Sequence, residues 1–400
     1  TDTNTVNLTV SSSVSAATYV DTLTVTDVNG VSSFYPVTIV VNPRIAIVAT
    51  TDTVTTTFGR IAYDTFTTTA GTGTGNITFT RLSSSGSSAI THTSTTGSPA
   101  SAVLTIGSVL PAGTYYETLT ATDAAGATTI KVITIIVNPV LTLTSATGVN
   151  QIETTYSKAA SLTINVANGS GTRTASALPV TISGISLTTT NLQTGTLVLA
   201  LSTAVAIGTY VETITVTDSV SVVSTLPITI IVNAAPTISY GGATSGTISF
   251  VTTQGGSLQS SQFTVANGTG VKALTLSGVN NGISIDTSTS NAAVLTFGST
   301  LQSLSTTVAR TYYETLTVTD SLSATAYRGL TILVNPPINE TATTTTITTT
   351  SGIESTTVVY ATQGTGIKSF ALAGDAPSGV ILVDGTNQTT LRVLSTINPG

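Results

Sequence analysis

The sequence repeats one ten-residue string four times: TYVDTLTVTD at Thr18–Asp27, TYYETLTATD at Thr114–Asp123, TYVETITVTD at Thr209–Asp218 and TYYETLTVTD at Thr311–Asp320. The closing aspartates lie 96, 95 and 102 residues apart, and the longest interval holds the insertion GSTLQSLSTTVAR (Gly298–Arg310). Other landmarks keep the same phase. Downstream come VTIVVNP (Val37–Pro43), ITIIVNP (Ile133–Pro139), ITIIVNAAP (Ile228–Pro236) and LTILVNPP (Leu330–Pro337). Upstream come glycine turns at Gly71–Asn76, Asn168–Arg173, Asn267–Lys272 and Gly364–Lys368. Repeats of 20–45 residues build solenoids and propellers. A unit of 95–102 residues is large enough to enclose its own core.

Within the string the side chains alternate at the period of a strand. Tyr115, Glu117, Leu119, Ala121 and Asp123 share one face, and Tyr116, Thr118, Thr120 and Thr122 share the other. The aliphatic face belongs inside. The threonine face suits a solvated sheet, because threonine is β-branched yet polar. Asp27, Asp123, Asp218 and Asp320 then close each strand and cap a hairpin turn by accepting local backbone N–H bonds. Proline cannot continue a ladder, and it holds the preceding asparagine extended. Val-Asn-Pro therefore reads as a short, stiff linker.

No helical periodicity of useful length is present, and turn signals recur every 8–12 residues or so, as in a sandwich. The fold class is all-β: a tandem array of immunoglobulin-like β-sandwich domains of about 95–102 residues each. The expected boundaries are 43–138, 139–233 and 234–335, with the C-terminal strands of a partial domain at 1–42 and the N-terminal strands of another at 336–400. Both ends fall at nearly the same phase. An excerpt from a longer repeat chain is the favoured reading, over a subunit whose open ends are closed by strand donation.

Composition narrows the function. Charged residues are 7% of the chain, against roughly 25% in ordinary soluble proteins. No apolar run reaches the roughly 18 residues of a spanning helix. The 11 basic residues are scattered and the net charge is −6, so no nucleic-acid footprint exists. Without cysteine there are no disulfides and no thiolate metal sites.

The succession from the glycine turn through AVLTIGSVLPAGTYYETLTATDAAGATTIKVITIIVNP (Ala102–Pro139) resembles the immunoglobulin-like and cadherin-like tandem repeats of large bacterial and archaeal surface proteins. The resemblance spans essentially the whole chain. It implies architecture more than activity, because such repeats serve as stalks, adhesins, surface-layer parts and phage decorations. Some relatives bind Ca²⁺ between domains. This linker offers asparagine where they carry acidic clusters, so that property does not carry over.

The first tyrosine of each string resembles a tyrosine corner at the pole where the chain leaves the domain. The carboxylate two residues on is expected beside the linker. A repeated junction is therefore anticipated from Tyr19, Asp21, Asn42 and Pro43; Tyr115, Glu117, Asn138 and Pro139; Tyr210, Glu212 and Asn233; and Tyr312, Glu314, Asn335 and Pro336. The glycine turn and aspartate hairpin of the next domain would meet each set.

Catalytic and binding constellations are weak by comparison. Calcium needs six to eight oxygens with clustered carboxylates, and each pole shows only one or two acids. The glycine turns open no helix and carry no Gly-Lys-Ser/Thr, so they are not phosphate loops. His92 is the only histidine and lacks the partners of a triad. Lys131, Lys158, Lys272 and Lys368 raise the question of Lys–Asn isopeptide bonds, but no asparagine recurs with them. Six Asn-x-Ser/Thr sequons, at Asn7, Asn76, Asn168, Asn267, Asn339 and Asn387, are about what chance supplies in a chain this rich in hydroxyls; Asn168 and Asn267 share one turn and are the candidate glycosylation sites.

The expectation is a non-enzymatic, cofactor-free, extracellular cell-surface protein of a prokaryote, forming a filament, stalk or coat. The alternative is the shaft of an adhesin. Expected partners are further copies or continuations of the repeat, neighbouring filament or surface subunits, and glycan, with no nucleic acid and no membrane span.

Overall fold

The computed structural model describes residues 5–69, 76–84, 86–178, 182–256, 259–277, 282–287, 291–298 and 300–397. Every strand follows from the alternation in the sequence. An opening antiparallel hairpin, β1 (Ala17–Thr26) and β2 (Ser32–Val41), is followed by β3 (Ala46–Ala49), β4 (Thr53–Thr57), β5 (Ala62–Thr69), β6 (Thr78–Ser83), β7 (Ile90–Thr95), β8 (Ser101–Ile106), β9 (Gly113–Thr122) and β10 (Thr128–Asn138). These eight make two four-stranded sheets, ordered β3-β5-β8-β7 and β4-β10-β9-β6. Pairing is antiparallel throughout except for β4 with β10, which run parallel with Thr57 opposite Asn138. The chain thus enters through β3 in one sheet, crosses to β4 in the other, and leaves along β10 beside β4.

The inner faces of the two sheets meet over Phe66, Ile77, Leu104, Leu119, Ile133 and Ile135, each with 0% exposure. This is the aligned sandwich of the immunoglobulin class, with one core between two twisted sheets. The recurring string is β9, in which Glu117, Leu119 and Ala121 are buried and the intervening threonines are only partly covered.

The same arrangement recurs. The strands β11 (Thr142–Ser145), β12 (Gln151–Thr155), β13 (Ala160–Ala167), β14 (Thr174–Ala175), β15 (Ile185–Thr188), β16 (Thr196–Leu201), β17 (Gly208–Thr217) and β18 (Val223–Asn233) form sheets β11-β13-β16-β15 and β12-β18-β17-β14. Then β19 (Thr237–Ser239), β20 (Ile248–Thr253), β21 (Gln259–Ala266), β22 (Ala273–Ser277), β23 (Ile283–Asp286), β24 (Ala292–Phe297), β25 (Arg310–Thr319) and β26 (Thr325–Asn335) form β19-β21-β24-β23 and β20-β26-β25-β22. Each set encloses a separate apolar cluster. Beyond Pro336, β27 (Asn339–Ala342), β28 (Ser355–Thr362), β29 (Val380–Gly385) and β30 (Gln388–Val393) make one sheet, β27-β28-β30-β29. The only helical segment among the described residues is a single 3₁₀ turn at Leu192–Thr194.

Separate cores predict separate responses to core damage. Phe66→Ala is expected to cost about 3–5 kcal/mol, the usual range for a buried aromatic truncated to alanine. In calorimetry of the full chain the transition of this unit should fall most, that of the neighbouring cluster around Leu199 less, and that of the cluster around Phe263 least.

Candidate functional site: the junctions between sandwiches

The arrangement with the most specific chemistry lies between consecutive sandwiches. It is built on the two ends that come together in the parallel pair. At the end of β4 the Phe58 N–H donates to the Asn138 carbonyl (2.9 Å). One residue on, the Pro139 carbonyl accepts from Gly169 N–H of the following sandwich (3.0 Å). The linker is therefore bonded to both neighbours through adjacent peptide units, with no free residue between them.

Side chains complete the contact. Asn138 Nδ2 donates to Ser170 Oγ at 2.9 Å, and Ser170 Oγ lies 2.7 Å from Thr57 Oγ1. Thr57 Oγ1 in turn donates to Asp218 Oδ2 at 2.6 Å. Because the threonine proton is directed at the carboxylate, the serine is the donor between the two hydroxyls. A chain of donors runs from linker amide to carboxylate, and each link polarises the next. Asp218 Oδ2 also accepts from Ser170 N–H at 2.9 Å. Its other oxygen, Oδ1, holds its own hairpin through Val220 N–H (3.0 Å) and Val222 N–H (2.8 Å). One carboxylate thus caps a turn and clamps a neighbour. Arg60 adds a bond from Nε to the Val220 carbonyl at 3.0 Å.

The second junction repeats the pattern with different hydroxyls. Asn233 Nδ2 donates to Thr269 Oγ1 (3.1 Å), which lies 2.6 Å from Thr155 Oγ1, and Thr155 donates to Asp320 Oδ2. Thr269 N–H reaches the same oxygen at 2.9 Å, and Oδ1 holds Leu322 and Ala324 N–H. The backbone bonds recur as Tyr156 N–H to Asn233 O and Gly268 N–H to Ala234 O. At the third junction Gln254 N–H meets Asn335 O, Gly364 N–H meets Pro336 O, and Asn335 Nδ2 and Thr253 Oγ1 both donate to Thr365 Oγ1 (3.0 and 2.8 Å).

Glycine is required in the turn for two reasons. Gly169 and Gly268 have φ of +73° and +71°, and a Cβ there would sit 3.1 Å from the carboxylate oxygens of Asp218 and Asp320 respectively. The asparagines before them, Asn168 and Asn267, are themselves left-handed (φ 64° and 60°), a conformation asparagine tolerates. Both are exposed, while their sequon hydroxyls, on Ser170 and Thr269, are buried in the junction.

Asn138, Asn233, Asn335, Pro139 and Pro336 stand at the junctions together with Asp218 and Asp320. At the first linker Asn42, Pro43 and Asp123 line one cleft, and Asp123 Oδ1 accepts from Ala125 and Ala127 N–H. The glycine turn expected there, Gly71–Asn76, lies outside the described residues except for Asn76. Asp27 holds its hairpin through Asn29 and Val31 N–H.

The acids of the string lie elsewhere than expected. Glu117, Glu212 and Glu314 face the interiors of their own sandwiches with 0%, 0% and 5% exposure. Glu117 pairs with Arg81 at 3.0 Å and accepts from Ser83. Glu117 lies four residues past Gly113, the end of β9 that pairs with Val137 beside the linker, and the inward face of the strand carries it into the core side. Asp21 caps Thr22 N–H on the exposed opening hairpin. The tyrosines also bond within their own units: Tyr19 to Ser15 O, Tyr115 to Pro111 O, Tyr210 to Ala206 O and Tyr312 to Gln302 O. These bonds brace the turn into the strand.

Thr57, Thr155 and Thr253 were missing from the expected set. Their signal is present in the sequence as TTF, TTY and TTQ, each pair of threonines 98 residues after the last. Among the described residues no three histidine or acidic side chains cluster as metal ligands. Lys131 pairs with Asp52 at 2.5 Å on the sandwich surface.

A scan against protein-family models finds no match, and a search of curated proteins also finds none. Among solved structures, this chain is similar to an I-band fragment of titin, at 9% identity over 72% of this chain and 98% of that one, with a TM-score of 0.40. It is similar to the human desmocollin-1 ectodomain at 12% identity, over 93% of this chain and 79% of that one (TM-score 0.30). A four-domain fragment of protocadherin gamma B7 matches at 17% identity over 76% and 80% of the two chains (TM-score 0.27).

The junction carboxylates are acid-sensitive by construction. Burial pushes Asp218 and Asp320 up, but the hydrogen bonds from Thr57 and Thr155, from the Ser170 and Thr269 N–H groups and from their own hairpins outweigh it, and both are held below the ordinary aspartate value. A depressed carboxylate contributes stability above its unfolded pKa, about 3.9, and loses it as the pH falls through the folded value. Glu314 has the opposite sign, since burial raises it, so acid relieves its cost. Titrating the chain from pH 7 toward 2 is therefore expected to weaken the coupling between sandwiches at its most acidic end, read as the separation of their melting transitions. The Asp218→Asn chain should show no such acid-dependent change at that junction.

Proposed function

We propose that the chain is a load-bearing, extracellular rod made of sandwich beads at 43–138, 139–233 and 234–335, with 1–42 and 336–400 belonging to the flanking beads. Its role is to span distance at a prokaryotic cell surface as part of a filament, stalk or coat. The observation that carries this reading is the junction of linker amide, two hydroxyls and a carboxylate, built alike around Asp218 and Asp320. A contact repeated with the same atoms fixes the angle between beads at each step, which is what a spacer of defined reach needs. No catalytic role is assigned.

The first junction brings Asp218 to the interface and the second brings Asp320 with Glu153 on the linker amide, whereas calcium takes six to eight oxygens and several acids. Hydrogen bonds hold the beads at a set angle without an ion. The exposed Asn168 and Asn267 beside the junctions are the positions proposed for glycan, which would help keep so weakly charged a surface soluble. Lateral partners are other copies of the repeat or neighbouring surface subunits. An adhesin shaft would use the same rod to hold a binding head away from the cell.

Small-angle scattering of the full chain tests the proposal. The expected result is an extended particle whose maximum dimension is the same in calcium and in chelator. A chain that collapses or becomes flexible on chelation would overturn the ion-free junction, and a broad distribution of shapes in both buffers would overturn the rod.

A further inference from the structure

The junction lies at the end of the parallel pair that joins the second strand of each bead, β4 in the first, to its last strand. The strand β4 is only five residues long, at the edge of its sheet, and is joined to that sheet by its parallel pairing with β10. Such a strand opens first, because an edge strand has one partner and parallel pairing is the weaker kind. It frays from an end. One of its ends is Thr57, whose Oγ1 is bonded to Asp218 of the next bead; opposite it in the pair is Asn138, whose Nδ2 is bonded to Ser170 of that same bead. The pattern is repeated where β12 meets β18: Thr155 and Asn233 end the pair, and Asp320 and Thr269 hold them.

We infer that the aspartate of each bead is a latch on the second strand, β4 or its counterpart, of the bead before it. While Asp218 is bonded to Thr57, β4 cannot peel from β10 at its junction end without also breaking a buried cross-bead hydrogen bond. The latch works in stability terms both ways, because coupling between two folded units is reciprocal. Its local effects differ. In the preceding bead it closes the end of a strand pair, whereas in the following bead the hairpin keeps its Oδ1 bonds to Val220 and Val222 whether or not Thr57 is engaged.

The surroundings permit the carboxylate to act this way. Arg60, on the turn after β4, is bonded to the carbonyl of Val220 in the Asp218 hairpin, and Arg173, past the glycine turn, is bonded to the Asn168 and Leu192 carbonyls. Around Asp320 the corresponding turn carries Lys158, Lys272 follows the glycine turn, and Glu153 accepts from Asn233 Nδ2 at 2.8 Å. The groups bonded directly to Oδ2 in both cases are uncharged, so protonating the aspartate removes the acceptor charge from that oxygen.

Hydrogen exchange on the full 400-residue chain, followed by mass spectrometry, tests the latch. Two variants are compared with the parent. Thr57→Val removes the hydroxyl from the preceding bead, and Asp218→Asn keeps a hairpin acceptor while replacing the carboxylate. Both are expected to speed exchange in 53–58 and 134–138 by about tenfold or more, the worth of one charge-assisted hydrogen bond. Segments 248–254 and 331–335, at the third junction and in a different bead from Thr57 and Asp218, serve as the internal reference and should not move. Unchanged exchange in 53–58 in Thr57→Val would overturn the latch, as would an effect of Asp218→Asn confined to 168–222. The readout is local, so it stands or falls apart from the scattering test of the rod.

Discussion

Everything distinctive about this chain depends on how one carboxylate divides its two oxygens. In Asp218 and Asp320, Oδ1 faces the aspartate's own hairpin and Oδ2 faces the bead before. The hairpin bonds fix the side-chain orientation, so the second oxygen is already aimed when the neighbouring threonine arrives. Little side-chain freedom is lost on docking, which is why a contact of few atoms can set an angle. The close approach of that carboxylate to the turn explains why the turn residue is glycine.

A hydroxyl-rich chain is well suited to such contacts. Seven per cent charged residues leave little to build salt bridges from. Each buried hydroxyl, however, both donates and accepts, so serine and threonine can be strung into a directed chain ending on a single charge.

The buried glutamates follow a different logic. Glu117, Glu212 and Glu314 sit on the inward face of a strand whose neighbours are aliphatic. Glu117 is held by Arg81 and Ser83. A buried pair of this kind specifies register more than it stabilises, because desolvation offsets much of the Coulomb attraction. Their place two residues after the tyrosine that opens the strand at the exit pole made them look like junction residues, yet the same position faces the core.

The sequence by itself determined the strands, the period and the inward faces. Those follow from alternation at a spacing of two residues and from turn residues with restricted backbones, which are local properties. It also displayed the linker asparagines and the closing aspartates, because both sit beside punctuating residues. What only the tertiary structure decided was which repeated groups meet. Thr57 and Asp218 are 161 residues apart and on different beads, and no local pattern links them. The parallel pairing of β4 with β10 carries Thr57 to the pole where the chain leaves, while the same sandwich geometry turns Glu117 inward. A repeat announces that a residue matters in every bead, but only packing shows whether it serves the core or the contact between beads.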